Sequence, residues 1–277
     1  MAGSEIKGTE ALMSMPIFQV DAFTEEPFKG NPAGICLLDA PADAAWMQNV
    51  AAEMNLAETA FPLAEDDGFR LRWFTPKVEV RLCGHATLAT AHILWERGIL
   101  APDRAARFQT LSGGLTARRE GDLIELDFPA RPPLPNPPDW ADAVVGALGI
   151  KPVYIGMSAE DVLFEAADEE TVRSIRPDFA TLRSLPARGV IVTSRSSDKR
   201  FDFVSRFFAP AVGVDEDPVT GSSHTVLIPY WAGRLGKKSF TAYQASARGG
   251  VLHLRHDGDR VRIAGRAVTV IKGELVV

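Results

Sequence analysis

Arg206-Phe207-Phe208-Ala209-Pro210-Ala211-Val212-Gly213-Val214 decides the fold, because the chain contains it twice. The earlier copy is Arg72-Trp73-Phe74-Thr75-Pro76-Lys77-Val78-Glu79-Val80, with Arg, an aromatic, Phe, Pro, Val and Val in the same register. Each copy runs on to a glycine and then a mostly apolar segment. The first enters it through Cys83-Gly84-His85-Ala86-Thr87, the second through Asp217-Pro218-Val219-Thr220-Gly221-Ser222. An offset of about half the chain points to two similar lobes, since a solenoid needs several short periods. The lobes should then share one strand order, and unrelated orders would refute the duplication.

Residues 88–95 and 225–232 are apolar around most of a helical circumference. A helix without a polar face is buried on all sides, so one central helix per lobe, enclosed by strands, is expected. Each would begin just after its glycine, leaving backbone N–H groups unpaired at its first turn.

Around these landmarks, residues 17–23, 33–38, 56–63 and 69–74 read as strands. Gly30-Asn31-Pro32 marks a tight loop, and Glu58 falls in the middle of its strand. Residues 43–55 carry apolar positions at helical spacing, and 111–130 form a hairpin turning near Glu120-Gly121-Asp122. The Pro-dense segment 131–138 is the natural lobe boundary. The N-terminal lobe is placed at 15–130, completed by the C-terminal strand, the C-terminal lobe at 131–277, and 1–14 as a leader or remnant outside the fold. The second lobe opens with a helix ending near Gly149. Strand-like runs follow at 153–157, 162–166, 189–192 and 201–208, with helix at 177–185, and the chain closes with strands at 240–245, 250–255, 260–264 and 267–271.

With 277 residues, the chain can build one large domain or two medium ones. A net charge of −6 offers no basic stripe for nucleic acid or anionic membrane. Two cysteines, Cys36 and Cys83, are too few for a disulfide framework, so a reduced, cytoplasmic setting is expected. No apolar run approaches the roughly 20 residues of a membrane span. Phosphate-loop, dinucleotide and nucleophile-elbow motifs are absent. His85 and His92 share a helix face without a carboxylate or cysteine joining both at useful spacing, so no metal site is expected.

Glu58 lies between apolar neighbours, and burial there would raise its pKa into the range of a usable proton acceptor; the plain alternative is a surface carboxylate on an edge strand. Gly84-His85 and Gly221-Ser222 would make paired anion-binding nests if their helix ends converge. Ordinary capping by Thr220 or Ser222 explains either alone. Asp217 favours the positive end of a helix, or serves as a cleft carboxylate orienting His85. Cys83 approaches the first helix, where a thiolate would be stabilised, although a buried inert thiol is commoner.

Gly30-Asn31-Pro32-Ala33, Asn55-Leu56-Ala57-Glu58-Thr59-Ala60-Phe61, Cys83-Gly84-His85-Ala86-Thr87 and Glu216-Asp217-Pro218-Val219-Thr220-Gly221-Ser222 together resemble the PhzF family of phenazine-biosynthesis-like isomerases. The resemblance implies an α+β, diaminopimelate-epimerase-like fold: two pseudo-symmetric lobes, each a barrel-like sheet around a central buried helix. It implies a homodimer and a cofactor-independent isomerisation of a small carboxylate-bearing substrate. Glu58 would move the proton, with His85 and Asp217 as further catalytic residues. Gly84, Gly221, Ser222 and Thr220 would bind substrate. Related epimerases use one thiol per lobe; this chain offers Cys83 at the first such position and Asp217 opposite it, so Cys83 is an auxiliary candidate. A racemase or epimerase using Cys83, and a non-catalytic small-anion binder, are the alternatives.

Overall fold

The computed structural model describes residues 14–276; the expected leader therefore lies outside the described residues, apart from Ser14, which opens the first strand. The first half of the chain runs β1 (Ser14–Ala22), β2 (Asn31–Cys36), α1 (Ala44–Met54), β3 (Glu58–Glu65), β4 (Gly68–Phe74), β5 (Glu79–Val80), α2 (Gly84–Glu96), β6 (Ala106–Thr110), β7 (Gly113–Glu120) and β8 (Leu123–Pro129). The second runs α3 (Ala141–Leu148), β9 (Tyr154–Met157), β10 (Asp161–Glu165), α4 (Glu169–Ser174), α5 (Phe179–Arg183), β11 (Gly189–Arg195) and β12 (Phe203–Phe208). It continues through α6 (Gly221–Leu235), β13 (Ser239–Gln244), β14 (Gly250–Asp257), β15 (Arg260–Gly265) and β16 (Ala267–Val276). Among the described residues, no helix is long and apolar enough to cross a membrane.

Local chemistry accounts for these elements. The Asp43 carboxylate accepts from the N–H groups of Ala45 and Trp46 and starts α1, and Asn55 ends it in the left-handed region at φ 49°. Phe69, Leu71 and Trp73 alternate inward along β4 while Arg70 and Arg72 face out. Leu88, Ala89, Ala91, Ile93 and Leu94 are all buried. So α2 has almost no solvent face, as a helix apolar around its circumference requires; it packs against β1, β2, β3, β7, β8 and β16. The other central helix, α6, packs on β14 and β15. It also reaches β10 through the Tyr230–Glu165 hydrogen bond and β11 through Trp231–Thr193.

The strands form one continuous sheet in the order β16-β1-β2-β3-β4-β6-β7-β8-β15-β14-β13-β12-β11-β10-β9, with β5 alongside β4. From β1 to β8 the pairings are antiparallel, parallel, antiparallel, parallel, antiparallel, antiparallel. From β9 to β15 the same six-step pattern recurs. The two last strands, β8 and β15, pair antiparallel and join the halves. Shared strand order is what a duplicated chain must show. The quoted repeat also keeps its chemistry: Arg72 Nε and Nη2 donate to the two oxygens of Glu79 at 2.7 and 2.8 Å. Arg206 does the same to Glu216 at 2.7 and 2.9 Å. The guanidinium carbons lie 5.1 Å from the Phe74 ring centre and 4.8 Å from that of Phe208.

The structure departs from the sequence reading in several places, including α4 and β5, which went unread. Asn31 and Pro32 belong to β2, because Gly30 alone takes the left-handed turn, at φ +62°. Glu58 begins β3 and does not sit at its centre. Both central helices begin at their glycines, with Cys83 and Thr220 as N-caps. The strand β6 went unread, and Leu111-Ser112 is its turn into β7. The last strand extends to Val276 and pairs with β1 along its whole length.

The two arginine pairs differ in burial, and stability should follow. The Arg206–Glu216 side chains are 9 % and 20 % exposed, and Arg206 also donates to the carbonyls of Val172 and Ile175. Arg206→Ala should cost about 3–5 kcal/mol in urea unfolding, because a partly buried carboxylate and two buried carbonyls lose their donor. Arg72→Ala, in a more exposed pair, should cost no more than about 1 kcal/mol.

Candidate active site

Two buried helices point their N-termini at one spot. A Cβ built on Gly84 would lie 3.7 Å from the Gly221 Cα, and one on Gly221 equally near the Gly84 Cα. Side chains here would fill the junction, so glycine keeps the first N–H groups of both helices approachable. Neither Cys83 nor Thr220 caps its helix with its side chain.

Glu58 reaches this junction from the start of β3, which lies between β2 and β4 and is not an edge strand. Its side chain is only 18 % exposed, and its Oε2 lies 3.3 Å from His85 Nε2. That contact is too poorly aligned for a hydrogen bond, which leaves the buried Nε2 without a partner. The other ring nitrogen, Nδ1, is 3.3 Å from Asn31 Nδ2 and 3.5 Å from Cys83 Sγ. Burial pushes the Glu58 carboxyl up to about 8, and the nearby Asp217 charge raises it further against a hydrogen bond from Cys83. Burial lowers His85 to about 3, so its imidazole is neutral at physiological pH. It also holds the Cys83 thiol well above its usual value.

Asp217 approaches from the second half. Its Oδ1 accepts from Asn31 Nδ2 at 2.7 Å and its Oδ2 from the Thr220 hydroxyl at 2.6 Å. Burial raises it to about 6 despite these two donors. Asn31 also donates to the Val219 carbonyl at 2.9 Å, so one amide on β2 joins both halves and stands between Asp217 and His85. Gln244 holds the same corner, accepting from the Thr220 N–H and donating to the Asp217 carbonyl. The Ser222 hydroxyl accepts from Arg188 Nη2 at 3.1 Å, and that guanidinium is bound in turn to Asp161. Glu58, His85, Asp217, Gly84, Gly221, Thr220, Ser222 and Cys83 therefore converge on one region. A cavity of about 380 Å³ around Arg248 and His253 includes none of them.

Three participants were missed from sequence. Asn31 was absorbed into turn chemistry, and Arg188 and Gln244 carry no local signal. One equivalence also changes. Cys83 and Thr220 hold the same capping position in the two helices, so Thr220, and not Asp217, stands opposite the thiol.

A family model described as phenazine biosynthesis-like protein, PhzC-PhzF, matches residues 20–273. The chain is 50 % identical over 265 residues to an uncharacterized isomerase of Halalkalibacterium halodurans, covering 96 % of this chain and all of the other. A PhzF-family phenazine biosynthesis protein of Enterococcus faecalis superposes with a TM-score of 0.91 at 44 % identity, over 96 % of this chain and all of that one. In fold alone, a hydroxyproline epimerase from Agrobacterium vitis is similar, with a TM-score of 0.64 at 11 % identity over 95 % of this chain and 93 % of the other.

The raised carboxyl has a consequence for stability. The folded chain keeps a proton on Glu58 up to about pH 8, whereas the unfolded chain releases it near its ordinary value of about 4.3. The folded state thus binds more protons across that window, and stability falls as pH rises through it. Glu58→Gln removes this loss. The variant should melt at least ~2 °C above the parent at pH 8, with the gap closing below about pH 4, in paired thermal melts across pH.

Proposed function

Because the chain belongs to the phenazine biosynthesis-like, PhzC-PhzF family, we propose that it is an isomerase that moves a proton on a small carboxylate-bearing metabolite, with Glu58 as general acid and base and no cofactor. The observation that carries this reading is a carboxyl raised to about 8 beside a neutral imidazole, where two helix N-termini meet.

Glu58, once ionised, takes a proton from a carbon next to the substrate's carbonyl or carboxylate. The substrate carries a C=C beside that carbon, so the C–H electron pair spreads as a dienolate over the carbonyl or carboxylate and the double bond, with its oxygen charge facing the N–H groups at Gly84 and Gly221. Each well-placed donor of this kind is worth about 3 kcal/mol in the transition state. The protonated Glu58, whose proton exchanges with solvent, then delivers a proton to the far carbon of that conjugated system, and the electron pairs return to form the shifted double bond. Atoms and charge balance without a redox partner. A pKa near the working pH serves both halves of the cycle, since the group must accept and give up the proton with similar ease. Asp217, held by Asn31 and Thr220, presses on Glu58 electrostatically and favours return of the proton. Neutral His85 orients the carboxyl or relays the proton, and Arg188 with Ser222 gives the second half a positive edge for an anionic group. Cys83 is not required as a base in this scheme, and with Thr220 opposite it a two-thiol racemisation lacks its second thiol.

A thermal-shift screen of small carboxylates, followed by transfer of hits into deuterated water, tests the reading. Exchange of one carbon-bound hydrogen should accompany isomerisation, and kcat/KM should rise about tenfold per pH unit towards pH 8, where the base is half ionised, and level off above it. Glu58→Gln should slow exchange by about 10²–10⁴-fold. Native exchange rates in that variant would remove Glu58 from the role.

A further inference from the structure

We propose that Glu58, Cys83 and His85 form a binding site for one borderline-soft divalent cation of the zinc class, and that its binding silences the proton transfer assigned to Glu58. Only the second clause rests on the isomerase reading above. One ligand atom from each of the three residues lies within 4.8 Å of the other two. The imidazole Nε2 is 3.3 Å from Glu58 Oε2, and Nδ1 is 3.5 Å from the sulfur. Only one ring nitrogen can bind a given cation; zinc–ligand bonds of about 2.0–2.3 Å put neighbouring tetrahedral donors roughly 3.3–3.7 Å apart, a spacing the Nε2–Oε2 pair already has, and the sulfur is near enough to close on the same cation by side-chain rotation.

The donors are also held in place before any ligand arrives. Cys83 and His85 flank the first residue of α2, and Glu58 starts a strand paired on both sides, so none of the three is carried on a free loop. His85 is 5 % exposed, and its Nε2 is a buried nitrogen with no hydrogen-bond partner. A polar atom buried without a partner is costly and rare in native structures, and a ligand at this point relieves it.

Sulfur, nitrogen and oxygen together select zinc-class cations over magnesium or calcium, which prefer oxygen alone. Three protein ligands leave a fourth position for water or an anionic ligand. On binding, the thiol and any protonated Glu58 carboxyl give their protons to solvent, and sulfur and oxygen donate electron pairs to the cation. Glu58 can then no longer accept a proton from carbon. The sequence reading rejected a metal because it asked what joined His85 to His92; the fold instead brings Glu58 to the Cys83-Gly84-His85 turn.

The full chain, stripped with a chelator, is titrated with Cd²⁺ and followed by the ultraviolet sulfur-to-cadmium charge-transfer band. The band should saturate at one cation per chain and be displaced by Zn²⁺. It should persist in Cys36→Ser, disappear in Cys83→Ser, and require over ~100-fold more Cd²⁺ in Glu58→Gln, more than loss of an outer contact costs. No band in the parent chain at stoichiometric Cd²⁺, or a band that survives Cys83→Ser, overturns the site whatever the variants' stability. On a substrate found by the deuterium screen, saturating Zn²⁺ should abolish exchange, and undiminished exchange overturns the silencing. Failure of exchange in the metal-free chain overturns the isomerase reading and leaves the cation site standing on its spectrum.

Discussion

The contact between Gly84 and Gly221 constrains everything around it. Each helix N-terminus carries about half a positive charge, and here two of them meet in a largely apolar interior. Such an arrangement is unfavourable unless negative charge lies close by. Asp217 and Glu58 provide it, one from each half, and they in turn crowd each other. Asn31 fixes the geometry, with its amide nitrogen bonded to both Asp217 and the Val219 carbonyl across the junction. The approachable backbone N–H groups follow from bringing two helix ends together, and the raised carboxyl values and the neutral imidazole from the burial of the place where they meet.

The scaffold is symmetric and the chemistry is not. Pairing of Thr59 with Phe74 and of Val190 with Phe208 makes Gly189 the counterpart of Glu58. Thr220 answers Cys83, and Ser222 answers His85. Proton-handling groups are thus gathered in the first half, while the second supplies hydroxyls, an arginine and a carboxylate locked by donors. The arginine–glutamate pairs that brace each half are retained in both copies. Bracing tolerates duplication because both copies need it. A site between the copies needs only one base, and a second carboxylate opposite Glu58 would add like-charge repulsion in a buried space.

Much of the fold could be read from the chain because its strongest signals are local. The repeated Arg-aromatic-Phe stretch and the two apolar helices each lie within a short window, and the alternation of β4 needs only its own residues. Glu58 and His85 were readable because charged or polar residues in apolar company are conspicuous. Asn31 was lost because Gly30-Asn31-Pro32 satisfies turn chemistry equally well, and only the pairing of Asn31 with Ala22 makes it a strand. Gln244 and Arg188 lie in unremarkable surroundings; their roles exist only through contacts with Thr220 and Ser222. The Cys83–Thr220 equivalence needed the helix starts themselves, because Gly221 lies 7 residues after Val214 whereas Gly84 lies 4 after Val80, which shifts the register between the repeat and its glycine.

The placement of β16 bears on how the protein is made. This strand, the last described one to emerge from the ribosome, pairs with β1, the first described one. Until β16 has been made, the outer edge of β1 stays open, and an unpaired strand edge invites association with other chains. The half that bears Glu58 therefore waits on β16 (Ala267–Val276) to cover this edge, and a nascent product truncated before it would carry the carboxyl on an unfinished sheet.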